Sequence, residues 1–261
     1  MEKILEFKNA ILKINKKVIF EDFNFSVNEF KSTAIIGPSA SGKSTILKSL
    51  CRFAYTTNLT LKDTDIANNY NNLYERVAVV FNDSSFVCET VYSELTFGLQ
   101  NLNYIPKEIS EMISSFAEYF QINAILEYDV SMLTNDVKSY VRILSFLITN
   151  PLVLALDDMF IHLTTHQIQL IIEYINDNKI TLLFTTSNMD DLVLADYVYV
   201  LDKCVVVENG TRNKVLKNEK LLNELGLGLP FFTELSTGLK YYGVIKKIYN
   251  TKNELVGVLW K

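Results

Sequence analysis

The chain has 261 residues, of which 49% are hydrophobic and 21% are charged, as is usual for a globular protein with a substantial core. The formal net charge of −5 argues against nucleic acid as the main partner, because a duplex-binding surface needs an excess of basic residues. The sequence has no run of about 18 apolar residues that could span a membrane, and its N-terminus lacks the apolar core of a signal peptide. We therefore expect a cytoplasmic protein.

The cysteines and histidines form no recognisable disulfide or metal pattern. Cys51, Cys88 and Cys204 are odd in number and widely spaced, which predicts free thiols in a reducing compartment. His162 and His166 are four residues apart, a spacing that can place two metal ligands on one helix face. Because no third ligand and no H-E-x-x-H pattern accompanies them, we do not expect a metal site there.

The first part of the chain reads as strands followed by one helix. The predicted elements are strands at Ile4–Phe7, Val18–Val27 and Thr33–Ile36 and a helix at Ser44–Phe53. In the second strand Phe23, Phe25 and Val27 alternate with other residues, which places them on one face. The third strand is apolar, as buried strands are, and Gly37 ends it.

Strands and helices alternate along the remainder of the chain. The pattern predicts strands at Arg76–Phe81, Leu152–Leu156, Thr181–Thr185 and Tyr197–Leu201, and a helix at Gln167–Asp177. This alternation is typical of a parallel α/β sheet with helices on both faces. Between about residues 85 and 148 helical patterns dominate, with Pro106 in a first turn, so we expect a helical insert that forms its own lobe. Tyr241–Trp260 reads as two strands around a turn at Asn250–Asn253.

A glycine-containing loop joins the third predicted strand to the first predicted helix. It fits the pattern G-x-x-x-x-G-K-[ST] and consists of Gly37, Pro38, Ser39, Ala40, Ser41, Gly42, Lys43, Ser44 and Thr45. The glycines allow backbone N–H groups to point at phosphate oxygens, and the helix adds its positive N-terminal end. Lys43 would contact the β- and γ-phosphates, and the Ser44 hydroxyl would bind Mg²⁺. The position between a buried strand and a helix argues against a chance match, and this phosphate-binding loop predicts ATP as a ligand.

Two carboxylates follow the strand Leu152–Leu156. A phosphate-binding loop of this type needs a carboxylate from a second strand to hold Mg²⁺, and Asp157 is placed for that role. An aspartate at a strand end is also common in ordinary turns, but the presence of the phosphate-binding loop favours the metal role. Asp158 follows directly, where a general base or a water-orienting carboxylate could act.

The order of these motifs resembles that of the ATP-binding subunits of ABC transporters, and most of all the energy-coupling factor ATPases, over residues 1 to about 240. Further matches lie at Phe81–Asp83, Glu89–Val91, Phe97–Asn101, Ala195–Leu201 and Leu225–Phe231. The resemblance implies an α/β P-loop NTPase core with an N-terminal antiparallel β-subdomain and an inserted helical subdomain. It implies an ATP-binding domain at 1–220, with the helical insert at about 85–148, and a C-terminal extension at 221–261 that has a hairpin-like end and could contact a second subunit.

Several positions depart from the family pattern where the resemblance implies contacts to the reacting phosphate, its Mg²⁺ or the attacking water. Asn82 stands at the Q-loop glutamine position, with an amide one methylene shorter. Asp158 stands at the catalytic glutamate position, where its carboxylate is drawn back by about 1.5 Å, a shift that can lower the rate about a hundredfold. Ser187 stands at the switch histidine position and can neither span the same distance nor carry a charge.

The signature sequence, which the resemblance implies binds the γ-phosphate held by a partner subunit, falls on Leu133–Val137. Thr134 keeps a hydroxyl there, whereas Asn135 and Asp136 add side chains where backbone N–H groups must approach closely. Asp136 would also place a negative charge near the phosphate. Two more positions differ, the D-loop aspartate (Thr164) and the adenine-stacking aromatic residue (Ile14).

The nucleotide-binding half of the family pattern is therefore intact, and the half that performs the chemistry is eroded. Because phosphoryl transfer depends on several groups acting at once, we expect slow or absent hydrolysis. Two subunits of this family enclose two ATP molecules head to tail, so the resemblance implies a second ABC ATPase as partner. We expect a heterodimer in which this chain holds ATP and the site on the partner's P-loop carries the turnover.

The resemblance also implies an association with a membrane. The helical lobe near Phe86–Phe97 would dock onto integral membrane subunits at the cytoplasmic face of the cell membrane, as part of a transporter for a micronutrient such as a vitamin or a metal ion. One alternative is a soluble ABC ATPase acting on ribosomes or DNA, although such proteins usually carry two ATPase units or a long coiled coil. A second alternative is a non-hydrolysing nucleotide sensor, which would not copurify with membrane proteins.

Overall fold

The computed structural model describes residues 2–67 and 76–259 of the chain. The chain divides into two units, one made of Met1–Lys31 and Ser44–Thr185 and the other of Ser32–Lys43 and Thr186–Lys261. The predicted division into 1–220 and 221–261 rests on the family pattern and stays a prediction.

The strands and helices predicted as far as residue 201 are present in that order, and further short strands and C-terminal helices were not predicted. The strands are β1 (Lys3–Ile14), β2 (Lys17–Asn28), β3 (Ser32–Ile36), β4 (Tyr55–Thr56), β5 (Leu59–Leu61), β6 (Thr64–Asp65), β7 (Val77–Phe81), β8 (Val153–Asp157), β9 (Thr181–Thr185), β10 (Tyr197–Asp202) and β11 (Val205–Thr211). The helices are α1 (Lys43–Leu50), α2 (Val91–Asn101), α3 (Pro106–Tyr119), α4 (Asn135–Leu147), α5 (Thr165–Asp177), α6 (Arg212–Leu216), α7 (Glu219–Glu224), α8 (Phe231–Tyr241) and α9 (Lys252–Leu259). Within residues 2–67 and 76–259, no helix has both the length and the apolar character needed to cross a membrane.

The first unit contains an antiparallel sheet with the strand order β2-β1-β5-β6, and β4 also pairs with β1. The alternation predicted for the second strand is confirmed, since Phe23, Phe25 and Val27 are all buried. The ring of Phe7 in β1 packs against Phe23 and Phe25 at centroid distances of 5.4 and 5.9 Å, within the usual range for aromatic pairs. This sheet confirms the expected N-terminal antiparallel β-subdomain.

Strand β1 is longer than the predicted Ile4–Phe7. Ala10 and Leu12 continue its buried face, but the pairing with β2 shifts register between Phe7 and Ala10 and again between Ala10 and Leu12. A bulge of this kind interrupts the two-residue period, which is why the alternation in the sequence ends too early.

The first unit also contains three parallel strands, β7, β8 and β9. Their residues are buried almost throughout, as expected for strands covered on both faces. The register pairs Phe81 with Asp157, and Asp157 with Thr185. The carboxyl ends of the three strands therefore lie side by side, and Asn82 and Asp158 follow at the same edge.

The predicted helical insert is confirmed. It belongs to the first unit, together with the antiparallel sheet and the parallel strands β7, β8 and β9. Helices α2 and α4 approach closely at Gly98, where a Cβ atom would lie 3.0 Å from Thr149 Cγ2 and 3.3 Å from the Ser145 carbonyl oxygen. Phe116 and Phe120 of the insert pack edge-on or tilted against the ring of Tyr174 in α5, at 5.4 and 5.2 Å.

In the second unit, β3 pairs in parallel with β10, and β10 pairs antiparallel with β11. The backbone N–H of Ser32, at the start of β3, donates to the Asp196 carboxylate at 3.1 Å. Strands β3 and β10 were predicted as Thr33–Ile36 and Tyr197–Leu201, each one residue shorter than observed, and helices α6 to α9 follow them.

The C-terminal segment differs from its prediction, because it forms helix α9 where two strands and a hairpin-like end were expected. The Thr251 hydroxyl accepts the Glu254 N–H at 3.3 Å, and the Glu254 carboxylate accepts the Asn250 N–H at 3.1 Å. The first bond is the usual one between an N-cap side chain and the third helical N–H, and the second bond holds the residue before the cap. Together with burial of Leu255 they outweigh the strand preference of the valines. Trp260 lies outside the described residues.

Candidate functional site

The phosphate-binding loop begins directly after β3 and ends in the first turn of α1, as the sequence predicts. Gly37 and Gly42 have φ values of 153° and 100°, and Ala40 has a φ of 62°, all in the region that L side chains rarely adopt. A Cβ atom at Gly37 would lie 2.2 Å from the carbonyl oxygen of Leu201. Only glycine therefore fits at the start of the loop.

Two polar side chains of this loop, those of Lys43 and Ser41, differ in their hydrogen bonding. The Lys43 ammonium donates to the carbonyl oxygens of Gly37 at 2.6 Å and Pro38 at 3.0 Å. The Ser41 hydroxyl is buried, and no group among the described residues forms a hydrogen bond with it. Because an unpaired buried donor is costly, the loop fits an anionic ligand that would supply acceptor oxygens.

Asp157, at the carboxyl end of β8, accepts hydrogen bonds from two hydroxyl groups. Ser44 Oγ donates to Asp157 Oδ1 at 3.1 Å, and Thr185 Oγ1 donates to the same oxygen at 2.6 Å. The structure thus brings together two of the three predicted metal-binding residues, Ser44 and Asp157, whereas the third, Asn82, contacts His162. A hydroxyl and a carboxylate are oxygen ligands of the kind that Mg²⁺ prefers, so these residues fit the metal.

Thr185 is a residue of this site that sequence reasoning missed. Its side chain is 1% exposed, and besides its bond to Asp157 it accepts the Asp158 N–H at 3.0 Å. A hydroxyl at the end of a buried strand was the available signal. Its role could be recognised only once β9 was known to pair with β8.

Asp158 has a φ of 53°, in the left-handed region that aspartate tolerates better than most residues. Its backbone N–H donates to both the carbonyl oxygen and the hydroxyl of Thr185, at 3.2 and 3.0 Å. The backbone of the candidate water-orienting residue is therefore held by the neighbouring strand, while its side chain is half-buried.

Asn82, the residue after β7, contacts His162. The Asn82 amide nitrogen lies 2.8 Å from His162 Nε2. His162 ends a 3₁₀ turn, Phe160–His162, whereas His166 lies in α5 and its Nε2 is 3.4 Å from Gln121 Oε1. The two histidines have different partners and do not share a helix face.

The signature segment forms the start of helix α4. Thr134 is the N-cap residue, Asn135 is the first helical residue, and both are exposed, as is Asp136. The Thr134 hydroxyl, and after it the N–H groups of the first turn, hold the pKa of Asp136 below its ordinary value. The Asp136 carboxylate is thus ionised at neutral pH and faces its own helix start.

Ser187 is exposed and belongs to the second unit, whereas Asp157 and Asp158 belong to the first. Asp191 anchors the loop that carries Ser187. It accepts the Thr186 hydroxyl at 2.6 Å and the Asn188 amide at 3.1 Å. Of the other departing positions, Thr164 caps α5, and Ile14 is the last residue of β1.

The family model for "ABC transporter" matches residues 20–160 of the chain, more than half of its length. Among relatives, an energy-coupling factor transporter ATP-binding protein EcfA1 of Mesomycoplasma hyopneumoniae is 26% identical over 254 residues, covering 94% of this chain and 92% of that protein. The EcfA protein of Malacoplasma penetrans is 28% identical over 270 residues, covering 100% of this chain and 94% of that protein.

Solved structures share the fold. CbiO1 of Clostridium perfringens, described as part of the ABC transporter complex CbiONQ, superposes with a TM-score of 0.74 at 20% identity, covering 90% of this chain and 99% of that chain. A nucleotide-free ATP-binding cassette of an ABC transporter superposes with a TM-score of 0.72 at 22% identity, covering 87% and 99%. The chain therefore belongs to the ABC transporter family, as an ABC ATPase most like the energy-coupling factor ATPases.

Proposed function

We propose that the chain is the ATP-binding subunit of an ABC/ECF-type membrane transporter and the ATP-holding half of a heterodimeric ATPase. The observation that carries the proposal is the contact between Ser44, in the phosphate-binding loop, and Asp157. A loop hydroxyl bonded to a strand-end carboxylate, next to a loop lysine, is the arrangement that binds ATP with Mg²⁺.

In this proposal the chain's own residues do most of the binding. The N–H groups of the phosphate-binding loop and Lys43 bind the phosphates, and Ser44 and Asp157 would hold Mg²⁺, which neutralises phosphate charge when it is bound. Thr185 fixes the orientation of the Asp157 carboxylate through a hydrogen bond of 2.6 Å. These groups would bind the nucleotide, and none of them supplies the base that hydrolysis needs.

Slow hydrolysis on this chain's own loop follows from Asp158 and Ser187. The Asp158 carboxylate is short, and its backbone is fixed by two bonds to Thr185, so it has little freedom to reach further. Ser187 cannot donate from a charged group as a histidine can. We therefore propose that turnover takes place on the P-loop of the partner ATPase.

An apolar groove in the first unit supports docking of an integral membrane subunit. The groove has a volume of about 530 Å³, and its lining includes Val79, Val87 and Phe97, with Glu94 and Arg142 among them. Glu94 accepts the N–H groups of Val87 and Cys88 at 3.0 and 2.8 Å, which holds the groove wall in place. The lining overlaps the segment 86–97 expected to contact the membrane partner.

The names of the relatives support a proposal for where in the cell the chain acts. Because the similar proteins are named as ATP-binding proteins of energy-coupling factor transporters, we propose a peripheral position at the cytoplasmic face of the cell membrane. We extend the proposal to uptake of a micronutrient, either a vitamin or a metal ion. The exposed rings of Phe231, Tyr241 and Tyr242 in the C-terminal extension are candidate contacts to the second ATPase subunit.

The test is to purify the membrane complex through this chain and to measure ATP turnover and trapped nucleotide. One sample carries Lys43→Ala, a second carries the equivalent lysine change in the partner ATPase, and a control carries Lys107→Ala at an exposed position. We expect the partner change to abolish turnover, while Lys43→Ala removes the nucleotide held by this chain and leaves turnover measurable.

Two results would contradict the proposal in different ways. Equal loss of turnover with Lys43→Ala would mean that Asp158 suffices for hydrolysis and that the two halves are equivalent. Absence of any copurifying membrane protein would overturn the transporter function and favour the non-hydrolysing sensor.

A further inference from the structure

The contact between Asn82 and His162 joins two loops at the carboxyl edge of the parallel strands. Asn82 follows β7, and His162 ends the 3₁₀ turn that comes shortly after Asp158. The Asn82 amide nitrogen and His162 Nε2 are 2.8 Å apart, a good hydrogen-bond distance. The two residues are 80 positions apart in the chain, so only the fold brings them together.

In the arrangement that the structure shows, the Asn82 amide nitrogen faces His162 Nε2. An amide NH₂ only donates, so the imidazole Nε2 must accept, which places the ring proton on Nδ1. The amide nitrogen of Asn82 forms this bond, and the amide oxygen takes no part in it. While the ring proton is on Nδ1, this bond keeps the oxygen end of the amide turned away from His162.

The position of Asn82 makes the orientation of its amide relevant to Mg²⁺ binding. Phe81 is the register partner of Asp157, so Asn82 lies one residue beyond the partner of the carboxylate that contacts Ser44. An amide oxygen is a ligand for Mg²⁺, whereas an amide NH₂ is not.

We propose that His162 is a positioning residue, which turns the Asn82 amide so that its oxygen faces the metal side of the ATP site. The inference rests on the proposed function, because it assumes that Mg²⁺ is bound with ATP at Ser44 and Asp157. His162 acts only through Asn82 and makes no contact with the nucleotide.

The exposure of the two side chains allows them to be substituted with little effect on stability. Asn82 is exposed and His162 is half-buried, and exposed polar contacts contribute little to the free energy of unfolding. Substitutions at these positions should therefore leave the fold intact. A matched control exists in His166, which is also exposed and contacts Gln121 instead.

The experiment measures binding of a trinitrophenyl-labelled ATP to the purified full-length chain, first in EDTA and then across a Mg²⁺ titration. The variants are His162→Ala, His162→Gln, Asn82→Ala, the double alanine variant and His166→Ala. We expect His162→Ala to weaken the Mg²⁺-dependent part of binding about three- to tenfold and to leave binding in EDTA unchanged. His162→Gln keeps an acceptor oxygen and should restore most of the loss.

The double variant decides whether the two residues act as one unit. If His162 acts through Asn82, then the double alanine variant should lose no more than Asn82→Ala alone. Additive losses, or parental Mg²⁺ dependence in His162→Ala, would overturn the inference and leave the proposed function standing. Failure of the parent chain to bind ATP even in EDTA would overturn both.

Discussion

At the scale of single residues, the organising group is the hydroxyl of Thr185. It donates to Asp157 Oδ1 at 2.6 Å and accepts the Asp158 N–H at 3.0 Å, and its side chain is buried. One side chain therefore orients the carboxylate that faces Ser44 and supports the backbone of the residue after it. Hydrogen bonds to charged groups in buried surroundings are stronger than neutral ones, so this hydroxyl should matter for metal binding.

Thr185→Val removes the hydroxyl and keeps the shape of the side chain. We expect a loss of about 1–3 kcal/mol in the free energy of unfolding, since a bond to a carboxylate is lost, and a weaker dependence of ATP binding on Mg²⁺. Urea unfolding and nucleotide titration would measure the two effects. Thr185→Ser, which retains the hydroxyl, should keep the Mg²⁺ dependence, and a serine variant as defective as the valine variant would contradict this role.

At the scale of secondary-structure elements, the C-terminal segment shows how local capping decides between helix and strand. The valines at 256 and 258 suit a strand, yet they lie in α9. The sequence Thr251-Lys252-Asn253-Glu254 is a capping pattern, and the bond from the Glu254 N–H to the Thr251 hydroxyl is present, while the Glu254 carboxylate accepts the N–H of Asn250, the residue before the cap. Burial of Leu255 then fixes one face of the helix.

Thr251→Ala should loosen this helix by about 0.5–2 kcal/mol, the usual effect of removing an N-cap side chain. Because α9 is short, the change should appear as faster amide hydrogen exchange in residues 252–259, with no loss of ATP binding. Thr251→Ser preserves the hydroxyl acceptor and serves as the control. Unchanged exchange in Thr251→Ala would mean that packing alone holds the helix.

At the scale of the whole molecule, an ATP-holding subunit should depend on its ligand for stability. A ligand that binds only the native chain stabilises it by about 2.7 kcal/mol when present at a hundred times its Kd. The Ser41 hydroxyl, which has no partner among the described residues, and Lys43 are groups that a bound phosphate would engage. Ligand binding thus adds interactions that the chain by itself leaves unmade.

We expect the melting temperature of the full-length chain to rise by several degrees with saturating ATP and Mg²⁺, roughly 2–4 °C for each kcal/mol in a chain of this size. The rise should be smaller with ATP in EDTA, because Ser44 and Asp157 then have no metal to hold. Lys43→Ala should abolish most of the rise, which is measured from that variant's own melting temperature without nucleotide, because the variant also loses the bonds to the carbonyl oxygens of Gly37 and Pro38. An equal rise in both buffers would contradict a metal role for Asp157.

The sequence by itself determined the phosphate-binding loop, the aspartate after a buried strand that we propose binds Mg²⁺, the alternation of strands and helices, and hence the family. These features could be predicted because each is local, since a loop with its flanking strand and helix start is a continuous segment. The true length of β1 was not visible, because a bulge breaks the period, and the tail was misread because strand preference concealed a helix cap.

Only the tertiary structure decided which distant residues complete the site. Thr185 meets Asp157 from 28 positions away, and Asn82 meets His162 from 80. Both contacts depend on the register of the parallel strands β7, β8 and β9. That register is set by the packing of apolar faces over the whole sheet, so no local pattern in the sequence contains it.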